Sequence, residues 1–142
     1  AIEGSLLGIP SIAMSLVTRG TSYHFGPAAE FAAVLASEVI TQGMPADTLL
    51  NVNVPNLPEQ EIKGYRLTRQ GKRRYAETIE ARVDPRGKKY YWIGGDDLGF
   101  DPAEGTDCVA VHEGFISVTP LHVDLTNYRA LQEMHDLRLP WR

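Results

Sequence analysis

Pro10-Ser11-Ile12-Ala13-Met14-Ser15-Leu16-Val17 is a nearly continuous apolar run between Gly8-Ile9 and Thr18-Arg19-Gly20. A short apolar run with turn residues at both ends reads as a strand buried on both faces, as in parallel sheets covered by helices. Gly26-Pro27 follows, with Pro27 suited to the first position of a helix. Ala28, Phe31, Leu35 and Val39 then recur at helical spacing, with Val34 beside them, until Gly43 closes the segment. Asp47-Thr48-Leu49-Leu50-Asn51-Val52-Asn53-Val54-Pro55 reads as a second strand. Strand, amphipathic helix, strand is the order of a βαβ unit, so the fold class is α/β.

Upstream, residues 1–8 read as the closing turns of a helix that lacks a capping residue. The expectation is therefore the C-terminal part of a larger enzyme. Downstream, residues 62–93 form two extended segments rich in Tyr, Val, Ile, Thr and Arg around Asp84-Pro85-Arg86-Gly87. Pro second and Gly fourth favour a tight turn, so the segment reads as a protruding β-arm. Asp96-Asp97-Leu98-Gly99-Phe100-Asp101-Pro102 reads as a loop, Thr106 or Asp107 as the cap of a short helix ending at Gly114, and residues 115–121 as a strand. Thr126 is expected to cap a last helix carrying Tyr128, Leu131 and Met134. The organisation expected is residues 1–61 as α/β core, 62–95 as arm, and 96–142 as helix, strand, extended segment and C-terminal helix.

A chain of 142 residues with 43% hydrophobic content can bury a core, and its net charge of -4 gives no general attraction to nucleic acid or anionic membrane. The single cysteine, Cys108, forms no internal disulfide and suits a reducing compartment. It has no adjacent Lys or Arg and reads as a small core hydrophobe rather than a nucleophile. No apolar run approaches the ~20 residues that span a bilayer. No membrane association and a cytoplasmic location are expected.

The short catalytic motifs fail. Gly4-Ser5-Leu6-Leu7-Gly8 is not a nucleophile elbow, no glycine-rich phosphate loop occurs, and His24, His112, His122 and His135 are far apart. Asp96, Asp97, Asp101, Glu104 and Asp107 lack EF-hand spacing and read as a solvated loop. Ten of the fourteen basic residues lie between Lys63 and Lys89, interleaved with tyrosines and Trp92. They suit either a nucleic-acid-binding ribbon or an arm that packs on another subunit; the arm is preferred, because a two-stranded projection has open edges and little stability of its own. Substrate-side candidates are Thr18, Arg19, Ser22 and His24, since ligands of open α/β sheets bind beyond the carboxyl ends of the strands and Gly26-Pro27 opens a helix there. Candidate arm residues are Arg73, Arg74, Tyr75, Asp84, Pro85, Arg86, Tyr91 and Trp92. Asp124 is expected to be a structural acceptor at the junction of the last strand and helix.

The string from Glu3-Gly4 through Leu7-Gly8-Ile9-Pro10 to Ser15-Leu16, with Pro45-Ala46-Asp47 running into the second strand, closely resembles the SurE survival-protein family of nucleotidases. So do Arg73-Arg74-Tyr75, Asp84-Pro85-Arg86-Gly87, Tyr91-Trp92-Ile93-Gly94-Gly95, Glu104-Gly105-Thr106-Asp107 and Ser117-Val118-Thr119-Pro120-Leu121-His122-Val123-Asp124-Leu125-Thr126. The resemblance implies the C-terminal part of a Rossmann-like fold with a β-hairpin arm and a C-terminal helix. It also implies a dimeric or tetrameric, metal-dependent phosphatase of nucleoside 5'- and 3'-monophosphates, some members trimming short polyphosphate. A divalent ion, Mg or Mn, would neutralise the phosphate and activate water. The family's metal ligands, an Asp-Asp pair, a Ser, and an Asn before a Ser-Gly-Thr segment, all precede the stretch that Ala1 begins. No catalytic or metal residue is therefore assigned, and the fragment alone is expected to be inactive.

Overall fold

A computed structural model describes residues 1–18, 20–75, 78–94, 97–138 and 140. For Tyr75, Thr78, Ile93, Gly94, Asp97 and Leu98 it describes the backbone alone. Helix α1 (Ile2–Leu6) leads into strand β1 (Ser11–Val17), helix α2 (Phe25–Gln42) and strand β2 (Thr48–Pro55). Strands β1 and β2 are parallel, with Met14 beside Val52 and Ser15 beside Asn53, so the βαβ unit forms as its pattern predicts. A 3₁₀ turn (Glu59–Glu61) leads to the short strands β3 (Tyr65–Leu67) and β4 (Arg73–Tyr75). The hairpin strands β5 (Thr78–Val83) and β6 (Lys89–Gly94) follow, then β7 (Asp97–Phe100), α3 (Asp107–His112), β8 (Ile116–His122) and α4 (Tyr128–Glu133).

The main sheet has the order β1-β2-β8-β3, with β8 antiparallel to β2 and parallel to β3. Successive side chains of a strand point to opposite faces. Leu50, Val52 and Val54 turn toward α2 and form the core with Ile116 and Val118 of β8, while Ala28, Phe31, Leu35 and Val39 of α2 close over them. Val52 and Val54 have no solvent exposure. Burying one such side chain contributes about 1.5–3 kcal/mol. Leu49, Asn51 and Asn53 face the other way, where Leu49 is buried, Asn51 lies in register with Thr119, and Asn53 bonds Ser15 and Ser117.

Several expectations change. Strand β1 is not buried on both faces, since Ser11 is its one buried residue, and among the described residues it is an edge strand paired only with β2. Helix α2 starts two residues before Pro27, which the first turn tolerates because its N–H groups have no intrahelical partner. Val34 is exposed. The expected arm of residues 62–95 narrows to the hairpin β5–β6, because β3 joins the main sheet and β4 pairs with β7. The expected loop at residues 97–100 is that partner strand β7.

The cap of α3 is Thr106, whose Oγ1 accepts a bond from the Val109 amide at 3.4 Å. Asp107 Oδ1 instead accepts the Gly71 amide at 2.8 Å, which joins α3 to the chain entering β4. A Cβ on Gly71 would lie 2.9 Å from that oxygen and 3.0 Å from Cys108 Sγ, so glycine is required by this approach. The last helix is capped by Asn127 rather than Thr126: Asn127 Oδ1 accepts the Ala130 amide at 2.9 Å. Among the described residues no helix is long and apolar enough to cross a membrane.

Candidate functional site

The loop between β1 and α2 leaves the carboxyl end of a parallel strand, where open α/β sheets hold ligands. Its shape is set by Asn56, the residue after β2. Asn56 Nδ2 donates to Thr18 Oγ1 at 3.1 Å and to the Ser22 carbonyl at 2.7 Å, while Asn56 Oδ1 accepts the His24 amide at 2.8 Å. Its own amide donates to the Val17 carbonyl at 3.3 Å. Thr18 Oγ1 also accepts the Gly20 amide at 3.3 Å. Thr18, Ser22 and His24, three of the sequence-predicted substrate-side residues, are thus gathered around one side chain that the sequence reading passed over. Arg19 lies outside the described residues. His24 occupies the N-cap position of α2 and makes no side-chain capping bond. Tyr23 and Phe25 stack on each other with ring centroids 5.7 Å apart and 22° between planes.

Thr18 also lines a cavity of about 880 Å³ on the polar face of the sheet, between β1, β2, α3 and the strands β4 and β7. Its walls include Ser15, Asn51, Asn53, Arg73, Cys108 and His112. Ser15 Oγ donates to Asn53 Oδ1 at 2.7 Å, and Asn53 Nδ2 donates to Ser117 Oγ at 3.3 Å. One amide therefore ties three strands together across the polar face. His112 meets the Phe100 ring edge-on at 5.6 Å. Burial, and after it the negative charge of Asp107, push the Cys108 thiol above its ordinary pKa. It stays protonated near neutral pH, as a structural cysteine does and a nucleophilic one does not.

The arm residues separate. Arg73 lies on the cavity wall and Arg74 sits 3.7 Å from Asp101, while Tyr75 pairs through its backbone with Asp97. Asp84 Oδ1 accepts the amides of Arg86 and Lys88, each at 2.8 Å, and the Gly87 amide closes the turn on the Asp84 carbonyl at 2.9 Å. Gly87 has φ 82°, the left-handed conformation that glycine adopts without a steric penalty. Pro85 occupies the turn as expected. Tyr91 and Trp92 remain exposed on β6, with the Arg82 guanidinium 5.7 Å from the Trp92 ring centre. Other basic residues are engaged locally: Arg66 pairs with Glu113 and stacks 3.7 Å above Phe115, and Arg82 pairs with Glu80.

Asp124 is an acceptor at the junction of β8 and α4, bonding within its own segment. Its Oδ1 accepts the Thr126 amide at 2.9 Å and its Oδ2 accepts the Tyr128 hydroxyl. The bond from Thr126, then that from Tyr128, hold the carboxyl down to about 2, and the same contact raises the Tyr128 phenol. Among the described residues no three His, Cys, Asp or Glu side chains are grouped to hold a metal ion.

A sequence profile of the family described as Survival protein SurE matches residues 1–77. The chain belongs to the SurE family. A protein of Geobacter sulfurreducens named 5'-nucleotidase SurE is 56% identical over 92% of the chain and 50% of its own length. Another of that name, from Geobacter sp. strain M21, is 51% identical over 99% of the chain and 56% of its own length. The crystal structure of a SurE protein from Aquifex aeolicus superimposes with a TM-score of 0.77 at 47% identity, covering 96% of this chain and 55% of that one. The chain thus spans about half the length of the SurE proteins it matches, and the mixed α/β architecture is theirs.

Two outcomes test this geometry. Asn56→Ala leaves the Ser22 carbonyl and the His24 amide without their side-chain partner and should cost about 1–3 kcal/mol, read as a lower melting temperature. Thr18→Val, which removes one partner only, should cost less, and equal melting of Asn56→Ala and the parent would refute the role of Asn56. For Asp124 the folded pKa lies below the ordinary 3.8, so its contribution is present above that value and lost as pH falls through about 2. Hydrogen exchange should show protection of α4 amides falling across this window, and Asp124→Asn should abolish the pH dependence.

Proposed function

We propose that a chain of full family length carrying these residues is a metal-dependent phosphatase that hydrolyses nucleoside 5'- and 3'-monophosphates, with short polyphosphate as a further substrate. The observation that carries this reading is identity of 51–56% across nearly the whole chain to proteins named 5'-nucleotidase SurE. The geometry is compatible with it: a rigidly held loop stands beyond the carboxyl ends of parallel strands, next to a polar cavity. The divalent ion, Mg or Mn, does not fit the described residues, which group no set of ligands for it. By the family resemblance its ligands would come from the N-terminal half of a full-length chain. What these residues supply is the sheet, the loop frame and a cavity wall. The proposed location is the cytoplasm.

We further propose that the β5–β6 hairpin packs on another copy of the chain, giving a dimer or tetramer. Ile79, Val83, Tyr91 and Trp92 are each at least 57% exposed on a two-stranded element with open edges. Exposed apolar surface of that kind is covered in stable assemblies. The pairing of Arg66, Arg74 and Arg82 with carboxylates leaves less free positive charge for the alternative, a nucleic-acid-binding ribbon.

The 142-residue chain alone should release no phosphate from adenosine 5'-monophosphate with Mg or Mn, whereas a chain of full family length should. Robust metal-dependent release by the pure 142-residue chain would refute the division of labour. Deleting residues 78–94 from the full-length chain should lower its molar mass in light scattering by at least half. An unchanged mass would remove the assembly role from the hairpin.

A further inference from the structure

The Tyr23–Phe25 pair is costly to leave in water. Tyr23 is 53% and Phe25 62% exposed, although they stack on each other. Stacking covers part of each ring and leaves the rest of it in water. The segment that carries them is not slack: Asn56 fixes the backbone on both sides of Tyr23, at the Ser22 carbonyl and the His24 amide. Phe25 is the first residue of an 18-residue helix. The rings are therefore presented by a frame that needs no ordering when something binds, which removes a cost that mobile side chains incur.

The space beside them is open. A Cβ placed on Gly20 or Gly26 would meet nothing within 4 Å. Neither glycine has the positive φ that would require it, and glycine within a helix is less favourable than alanine. The flanking backbone is thus bare where a flat ligand would approach.

The size of the patch selects the kind of partner. Two aromatic side chains offer roughly 300–500 Å² even if fully covered, below the roughly 800 Å² per partner of a stable protein interface. They match a single flat heterocycle. Every nucleobase has a π-face that stacks on aromatic side chains without regard to its hydrogen-bonding edge. The place is also the right one, beyond the carboxyl ends of β1 and β2.

We infer that Tyr23 and Phe25 form a stacking platform for the base of the nucleoside monophosphate, held in position by Asn56. This inference rests on the nucleotidase reading and adds the base subsite to it. Because stacking is indifferent to the base edge, purine and pyrimidine nucleotides are both accepted, purines more tightly for their larger face.

The test uses a chain of full family length with the double substitution Tyr23→Leu and Phe25→Leu, which keeps apolar bulk and removes the flat rings. KM for adenosine 5'-monophosphate should rise roughly 5- to 100-fold with kcat little changed. The inhibition constant of adenosine, which has the base and no phosphate, should rise in parallel. That of ribose 5-phosphate, which has the phosphate and no base, should not move. Phe25→Trp in the parent background, which enlarges the flat face, should lower KM. Equal adenosine inhibition in parent and double variant would overturn the platform alone, as would a parallel rise for ribose 5-phosphate. A fall in molar mass of the double variant would also overturn it, assigning the rings to a subunit contact. A parent chain that hydrolyses no nucleotide would overturn the nucleotidase reading and the platform with it.

Discussion

Strand β2 lies between β1 and β8, and the two-residue alternation of its side chains is the constraint on which the rest of the structure depends. Val52 and Val54 lose all solvent contact, which fixes which face of the strand meets α2. A slip of one residue would turn Asn51 and Asn53 into the apolar core, where unpaired amides carry a large desolvation cost. The register that buries the valines is also the register that lines up Asn53 with Ser15 and Ser117. Core and polar face are thus one decision. The buried hydroxyl of Ser117 is tolerated because Asn53 bonds to it.

The same strand sets the loop where ligands of such sheets bind. Pro55 closes β2, and Asn56 stands directly beyond it, level with the carboxyl end of β1 because the two strands are parallel and in register. In that position a side chain with two donors and an acceptor can reach three points of the neighbouring loop. A hydroxyl would reach fewer and a carboxylate would lose the donors. The loop frame is therefore a consequence of strand register, and it does not depend on the exposed helix surface that follows.

What could be read from the chain alone follows the range of the interactions. The β1–α2–β2 unit was legible because its signals are local: apolar periodicity, Gly43 at the helix end, turn residues on each side. The Asp84–Gly87 turn was legible for the same reason, since its bonds span four residues or fewer. Strand β7 was not, because its sequence contains Gly99 and two acidic residues border it, and only pairing with β4 makes it a strand. Asn56 was missed because its partners lie more than thirty residues away, and an Asn after a Pro reads as an ordinary turn residue. The polar face of β2 has a local signal: asparagines at alternate positions of an apolar strand mark one side as hydrogen-bonding. At the C-terminal helix, Thr126 and Asn127 are both good caps, and propensity alone does not choose between neighbours.

The C-terminal segment obeys a different physics from the core. Leu125 is 93% exposed, and Tyr128, Leu131, Met134 and Leu137 line up at helical spacing with more than half of each side chain in water. A six-residue helix has little intrinsic stability, and α4 has no fully buried residue of its own. Its order comes from its start: Asn127 satisfies the Ala130 amide, and Asp124 holds both the Thr126 amide and the Tyr128 hydroxyl. These bonds are fully exposed and fix the direction in which the segment leaves β8 more than they add to global stability. The hairpin shows the same division, with an ordered turn made by Asp84 and an apolar surface left uncovered. Strand register thus builds the body of the chain, whereas short capping bonds aim two extensions whose apolar surfaces the body itself leaves exposed.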